Sequence, residues 1–97
     1  MNVTDQELIQ RAAKLHRAWC EREGFIYDEP SSGLSTVEQA ALPVHPQGCY
    51  GYDGSERTCV TLRNVRGVMA VYTYHVAINR LSRGNPGSLI FPEIEKE

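Results

Sequence analysis

Two runs of alternating residues meet at Asn64-Val65-Arg66-Gly67, and this junction constrains the fold more than any other part of the sequence. Before it, Arg57 to Arg63 puts Val60 and Leu62 on one face and Cys59, Thr61 and Arg63 on the other. After it, Val68 to Ile78 is rich in β-branched and aromatic residues, with Val68, Ala70, Tyr72, Tyr74 and Val76 sharing a face. Successive strand side chains point to opposite faces, so a period of two is a strand signal. Asn at the first position and Gly at the last fit a type I turn. They predict an antiparallel hairpin with a bulge at Gly67. Met69 and Val71 make the second strand's other face apolar too, which calls for cover by another copy of the chain or another protein.

A hairpin alone is marginal in water and needs something packed on it. The N-terminal segment offers a partner. Thr4 and Glu7 form a capping box, and Gly24 stands where a left-handed C-terminal residue is wanted, so a helix is predicted from Asp5 to Glu23. Leu8, Ala12, Leu15 and Trp19 recur at helical spacing, flanked by Ile9, His16 and Cys20. Gln6, Gln10, Lys14, Arg17 and Glu21 form the polar side, and Glu7 and Arg11 are one turn apart in the favourable order. Burying Leu8, Ile9, Leu15 and Trp19 contributes roughly 1.5–3 kcal/mol each, before the entropy of ordering is subtracted. The expected fold is α+β: this helix packed on a small antiparallel sheet of three to five strands, with Val60, Leu62, Ala70 and Tyr72 in the core. A chain of 97 residues forms one such domain, residues 1–97.

The remaining segments carry weaker signals. Phe25-Ile26-Tyr27 is short and apolar and reads as a strand, and Asp28 to Gly33 as a loop. Ser35 and Glu38 suit the cap of a short helix through Leu42, ended by Pro43. Pro43 to Gly54 has no periodicity and reads as a long surface loop, a class more often functional than short loops. Gly84-Asn85-Pro86-Gly87 is a break, and Leu89-Ile90-Phe91 reads as an edge strand stopped by Pro92.

Charge and composition exclude some roles. The net charge of −2 gives no overall attraction to nucleic acid or to an anionic membrane. No apolar run is long enough to span a bilayer. Met1 to Glu7 holds two acids and no base, unlike a secretory signal. Three cysteines, Cys20, Cys49 and Cys59, without motif spacing fit reduced thiols. The expected location is therefore the cytoplasm.

Four constellations compete for chemistry. Gly48-Cys49-Tyr50-Gly51-Tyr52-Asp53-Gly54 sets two tyrosines among glycines, and with His45 it forms a candidate ligand site of His45, Cys49, Tyr50 and Tyr52. The glycines do not match a phosphate-cradling loop, which needs a following helix and a lysine. His45 with Cys49 is also the available nucleophile–base pairing, but a productive pair needs geometry that spacing does not supply. Arg57, Arg63, Arg66, Arg80 and Arg83 cluster around the hairpin beside Tyr72 and Tyr74, a candidate surface for single-stranded RNA. Against it, charge at a hairpin turn usually guards a sheet edge. His45, Cys49, Cys59 and His75 could meet a zinc ion, yet without a paired knuckle the spacing favours no metal and no cofactor. His16 lies on the apolar side of the helix, where a buried neutral imidazole is the simpler reading than a general base.

The segment Val60-Thr61-Leu62-Arg63-Asn64-Val65-Arg66-Gly67-Val68-Met69-Ala70-Val71-Tyr72, with Pro30-Ser31-Ser32-Gly33-Leu34-Ser35 before it, resembles small uncharacterised bacterial proteins, including those carried on mobile gene cassettes (integron cassettes). The resemblance implies a bacterial cytosolic protein and carries over no catalytic or binding residue. With no catalytic set in view, the expected role is a non-catalytic binding or interaction module. Its partner would be another copy or another protein through the sheet. RNA binding by the arginines and ligand binding or catalysis by the 45–54 loop are the alternatives.

Overall fold

The computed structural model describes residues 3–40, 56–86 and 94–95. One helix, α1 (Asp5–Glu23), precedes four strands: β1 (Thr36–Gln39), β2 (Arg57–Asn64), β3 (Gly67–His75) and β4 (Arg80–Arg83). The strands form one sheet in the order β1-β2-β3-β4, every neighbour antiparallel. The fold is α+β, with the helix on one face of the sheet. No helix among the described residues is long and apolar enough to cross a membrane.

The helix begins and ends where its caps demand. The Thr4 hydroxyl accepts the Glu7 N–H at 3.1 Å, and Gly24 takes the left-handed conformation with φ 80°. The next amide, Phe25, donates to the Cys20 carbonyl at 2.9 Å, closing a Schellman turn. Leu8, Ile9 and Ala12 then pack with Val60, Leu62, Tyr72, Tyr74 and Leu81 from the sheet's inner face. Leu15, Val37, Met69 and Ala70 pack around that cluster.

The hairpin forms as its alternation requires, with Asn64 paired to Gly67 across a Val65-Arg66 tip. The Asn64 side chain accepts the Arg66 N–H at 2.9 Å, and Gly67 has φ 118°, a conformation that excludes most side chains. The bulge is displaced from its expected place at Gly67. Leu62 pairs with Ala70 and Arg63 with Val68, so Met69 is the extra residue. This changes the surface that was expected to need cover. Met69 packs against the core beside Ala70, and the outer face instead carries Arg57, Thr61, Thr73 and Ser82, all buried.

Three further expectations are corrected. Phe25-Ile26-Tyr27 is not a strand, because the Schellman turn folds Phe25 back onto Trp19, with ring centroids 5.1 Å apart. Residues 36–39 are strand β1 rather than a short helix. A helix that brief is unstable alone, whereas Thr36 and Val37 pair with Thr61 and Val60 on the edge of β2. Ser35 caps no helix: its Oγ donates to the Ser31 carbonyl at 2.8 Å and accepts the Arg63 N–H at 3.1 Å. Finally, β3 stops at His75 rather than Ile78, because Val76–Ile78 forms a 3-10 turn and Asn79 adopts φ 52° to start β4. The expected edge strand at Leu89–Phe91 and the loop at 43–54 lie outside the described residues.

A polar clamp ties the helix to the edge of the sheet. Arg11 bonds the Glu95 carboxylate and also donates to the Asn79 side chain and carbonyl, both at 3.1 Å. It does so instead of pairing with Glu7. Tyr74 completes the set, its hydroxyl donating to Asn79 Oδ1 at 2.9 Å. Ile94 bridges Ser82, and the Leu81 N–H donates to Glu95 at 3.2 Å, so Ile94 and Glu95 lie against the outer edge of β4.

Candidate functional site

Of the residues proposed from sequence, His45, Cys49, Tyr50 and Tyr52 lie outside the described residues. The five arginines do not share one face of the sheet. Arg57 is buried and donates to the Pro86 carbonyl at 2.9 Å, while Arg66 at the hairpin tip faces Asp28 at 3.7 Å. Arg80 donates to the Asn79 carbonyl at 3.0 Å. Arg63 follows Arg57, Cys59 and Thr61 on the outer face, but Arg83 pairs with Tyr72 and therefore shares the inner face with the helix. Of the four suggested metal ligands, Cys59 and His75 share the outer face. Among the described residues no group of three or more His, Cys, Asp or Glu side chains gathers.

Two histidines show what burial does to chemistry. His75 Nε2 lies 2.6 Å from the Ser82 hydroxyl, a pairing that resembles a base and its nucleophile. Ser82 is only 1% exposed, however, so no substrate reaches it and the bond serves the polar packing of the outer face. His16 is buried on the helix, with the Cys20 sulfur 3.7 Å from Nε2. Its burial, and next the charge of Arg83, hold its pKa below the ordinary histidine value, so it stays neutral at pH 7.

The arrangement with recognition chemistry lies beside His16, at the C-terminal end of α1. The Trp19 indole stacks on Phe25, nearly parallel at 10°, and on His16 at 6.1 Å between centroids. The Arg83 guanidinium sits 3.9 Å from the centre of the Trp19 ring. His16, Trp19 and Arg83, with Met69, Ala70, Val71 and Gly84, line an open groove of about 340 Å³. The bulge matters here, because it turns Met69 toward the helix side. Arg83 has no carboxylate partner among the described residues, and its Nε is shielded from solvent without a hydrogen bond.

Apolar residues surround this end of the molecule. Phe25 is 59%, Ile26 95%, Val65 91% and Val68 56% exposed. Their elements are held together: Asp28 accepts from the Asn64 side chain at 2.8 Å, and the Ser31 N–H donates to the Arg63 carbonyl at 2.8 Å. The chain leaving the helix thus runs past the hairpin tip. Tyr27, with Arg17 placed 5.7 Å over its ring, completes the aromatic group.

Sequence reasoning did not find this site. Its local half was available, since Trp19 and Phe25 stand at the two positions of a Schellman turn whose side chains meet. Its distant half was not, because nothing in the spacing of residue 83 reveals that it crosses Trp19. Comparison with protein-family models, with curated proteins and with solved structures returns no match.

Proposed function

We propose that this chain is a non-catalytic binding module that captures a protein partner at the end of the fold holding Trp19, Phe25 and the hairpin tip. One observation carries the reading. Phe25, stacked on the groove residue Trp19, stands exposed, as do Ile26 beside it and Val65 and Val68 at the hairpin tip, whereas the Leu8, Val60 and Tyr72 cluster is fully enclosed. Folding alone gives no reason to leave that much apolar surface in water. Trp and Arg are also the side chains that most often dominate protein interfaces, because each offers a large contact area together with a polar handle.

Crosslinking the tagged chain in its host cell tests this reading. A protein partner recovered by the unmodified chain should be lost by the Ile26→Asp/Val65→Asp double variant. Both positions are almost fully exposed, so the variant keeps its fold. Equal recovery by both chains, or no crosslinked protein at all, would contradict it.

A further inference from the structure

The chemistry of the groove specifies its partner further, on the reading that this end is a binding surface. Arg83 is the informative residue. Stacking on Trp19 uses the face of the guanidinium and, with Nε shielded, leaves the terminal Nη groups as in-plane donors. A guanidinium fork matches the two oxygens of a carboxylate. Arg83 faces no carboxylate of its own among the described residues, in contrast with Arg11, Arg17 and Arg66, which each face an acid. Its charge is also felt locally, since it disfavours a proton on His16. The net charge of the chain is −2, so attraction for an anion at this end comes from the site and not from the whole molecule.

Besides Arg83, the neutral His16 and Gly84, the groove is lined by Trp19, Met69, Ala70 and Val71. A partner group that suits both halves has one negative charge beside one bulky apolar side chain. A doubly charged phosphate fits less well, because His16 is held neutral and a single guanidinium remains to balance it. A free metabolite fits less well too. Small-molecule sites enclose most of their ligand, whereas this groove is open and is bordered by the exposed Phe25 ring stacked on Trp19. An extended peptide uses that opening.

We infer that the groove takes an acidic linear segment of a partner protein, with one Asp or Glu carboxylate paired to Arg83 and a neighbouring bulky apolar side chain laid against Trp19 and Met69.

Selection of displayed random heptapeptides on the immobilised full-length chain tests this, with parallel selections on Arg83→Gln, Arg83→Lys and Trp19→Ala. Circular dichroism and thermal unfolding establish that each variant is folded. The unmodified chain should enrich peptides carrying Asp or Glu within two residues of a large apolar side chain. A representative synthetic peptide should bind Arg83→Gln about tenfold more weakly, as expected for one lost charged pair. Arg83→Lys should fall between, because it keeps the charge and loses the planar fork. Exchanging Glu for Gln in the peptide should cost a similar factor on the unmodified chain, a comparison that needs no protein variant. Enriched apolar peptides without an acid, bound equally by Arg83→Gln but lost by Trp19→Ala, would overturn the acidic preference and leave the binding surface standing. Enrichment no greater than on Trp19→Ala would remove both.

Discussion

At the scale of single residues, two ionisable groups, His16 and Glu95, both weaken the fold as pH falls, for different reasons. His16 is disfavoured as a cation by burial and by Arg83. The unfolded chain therefore takes up this proton first, and the fold weakens as pH falls from about 6.5 toward the lower folded value. Glu95 is pulled upward by burial, but the Arg11 hydrogen bonds, the Leu81 N–H and the charges of Arg11 and Arg80 outweigh that and hold its carboxyl below the usual range. Its contribution is present above the unfolded carboxylate value of about 4.3 and is lost as pH falls through the folded one. Urea midpoints measured against pH should therefore decline in two stages. Glu95→Gln should flatten the lower stage and His16→Gln the upper one; a single stage unaffected by either change would contradict these assignments. Arg83→Ala should lower stability by about 0.5–1 kcal/mol through loss of its contact with the indole. It should also shift the emission of Trp19, the single tryptophan. An unchanged emission would mean that the two groups do not touch.

At the scale of elements, the capped helix and the hairpin were legible because their signals are local. Thr4, Glu7 and Gly24 lie within a turn of the groups they satisfy, and Asn64 with Gly67 sets the hairpin tip by its own backbone preferences. Thr4→Ala should cost about 1 kcal/mol in a denaturant titration, the usual worth of an N-cap. Gly24→Ala should cost a similar amount, about 1 kcal/mol. An added Cβ at Gly24 meets nothing within 4 Å, so that penalty comes from its φ of 80° and not from crowding. A neutral Gly24→Ala would argue that the helix ends differently. Segments decided by distant partners were not legible. Ser35 looked like a helix cap because the sequence near it has the right polar residues, yet its hydroxyl is taken by Ser31 and by Arg63. Thr36 and Val37 are strand residues because β2 offers them an edge, a fact absent from residues 35–42 themselves. The bulge at Met69 has the same origin: packing under the helix decides which residue of β3 is left unpaired.

At the scale of the whole molecule, one face of the sheet is apolar and lies under the helix, and the other is polar and buried. Leu62 is fully buried in the apolar layer, so Leu62→Ala should lower stability by roughly 2–5 kcal/mol. The helix stripe predicted this layer well at its N-terminal half, where Leu8, Ile9 and Ala12 are enclosed. Toward its C-terminal end Leu15 and Trp19 are only partly covered, although His16 and Cys20 are buried there. The partly covered Trp19 lines the groove, so the amphipathic pattern that builds the core at one end supplies the proposed binding surface at the other. Residues 19 and 83, far apart in sequence, are brought together by the fold alone, and their contact is central to the groove. Nuclear Overhauser contacts in the labelled full-length chain measure it. Cross-peaks between the Trp19 indole protons and the Arg83 side-chain methylenes, with those methylenes shifted upfield by the ring, are the predicted result. Arg83 methylenes at random-coil positions, with no cross-peak to the indole, would contradict it.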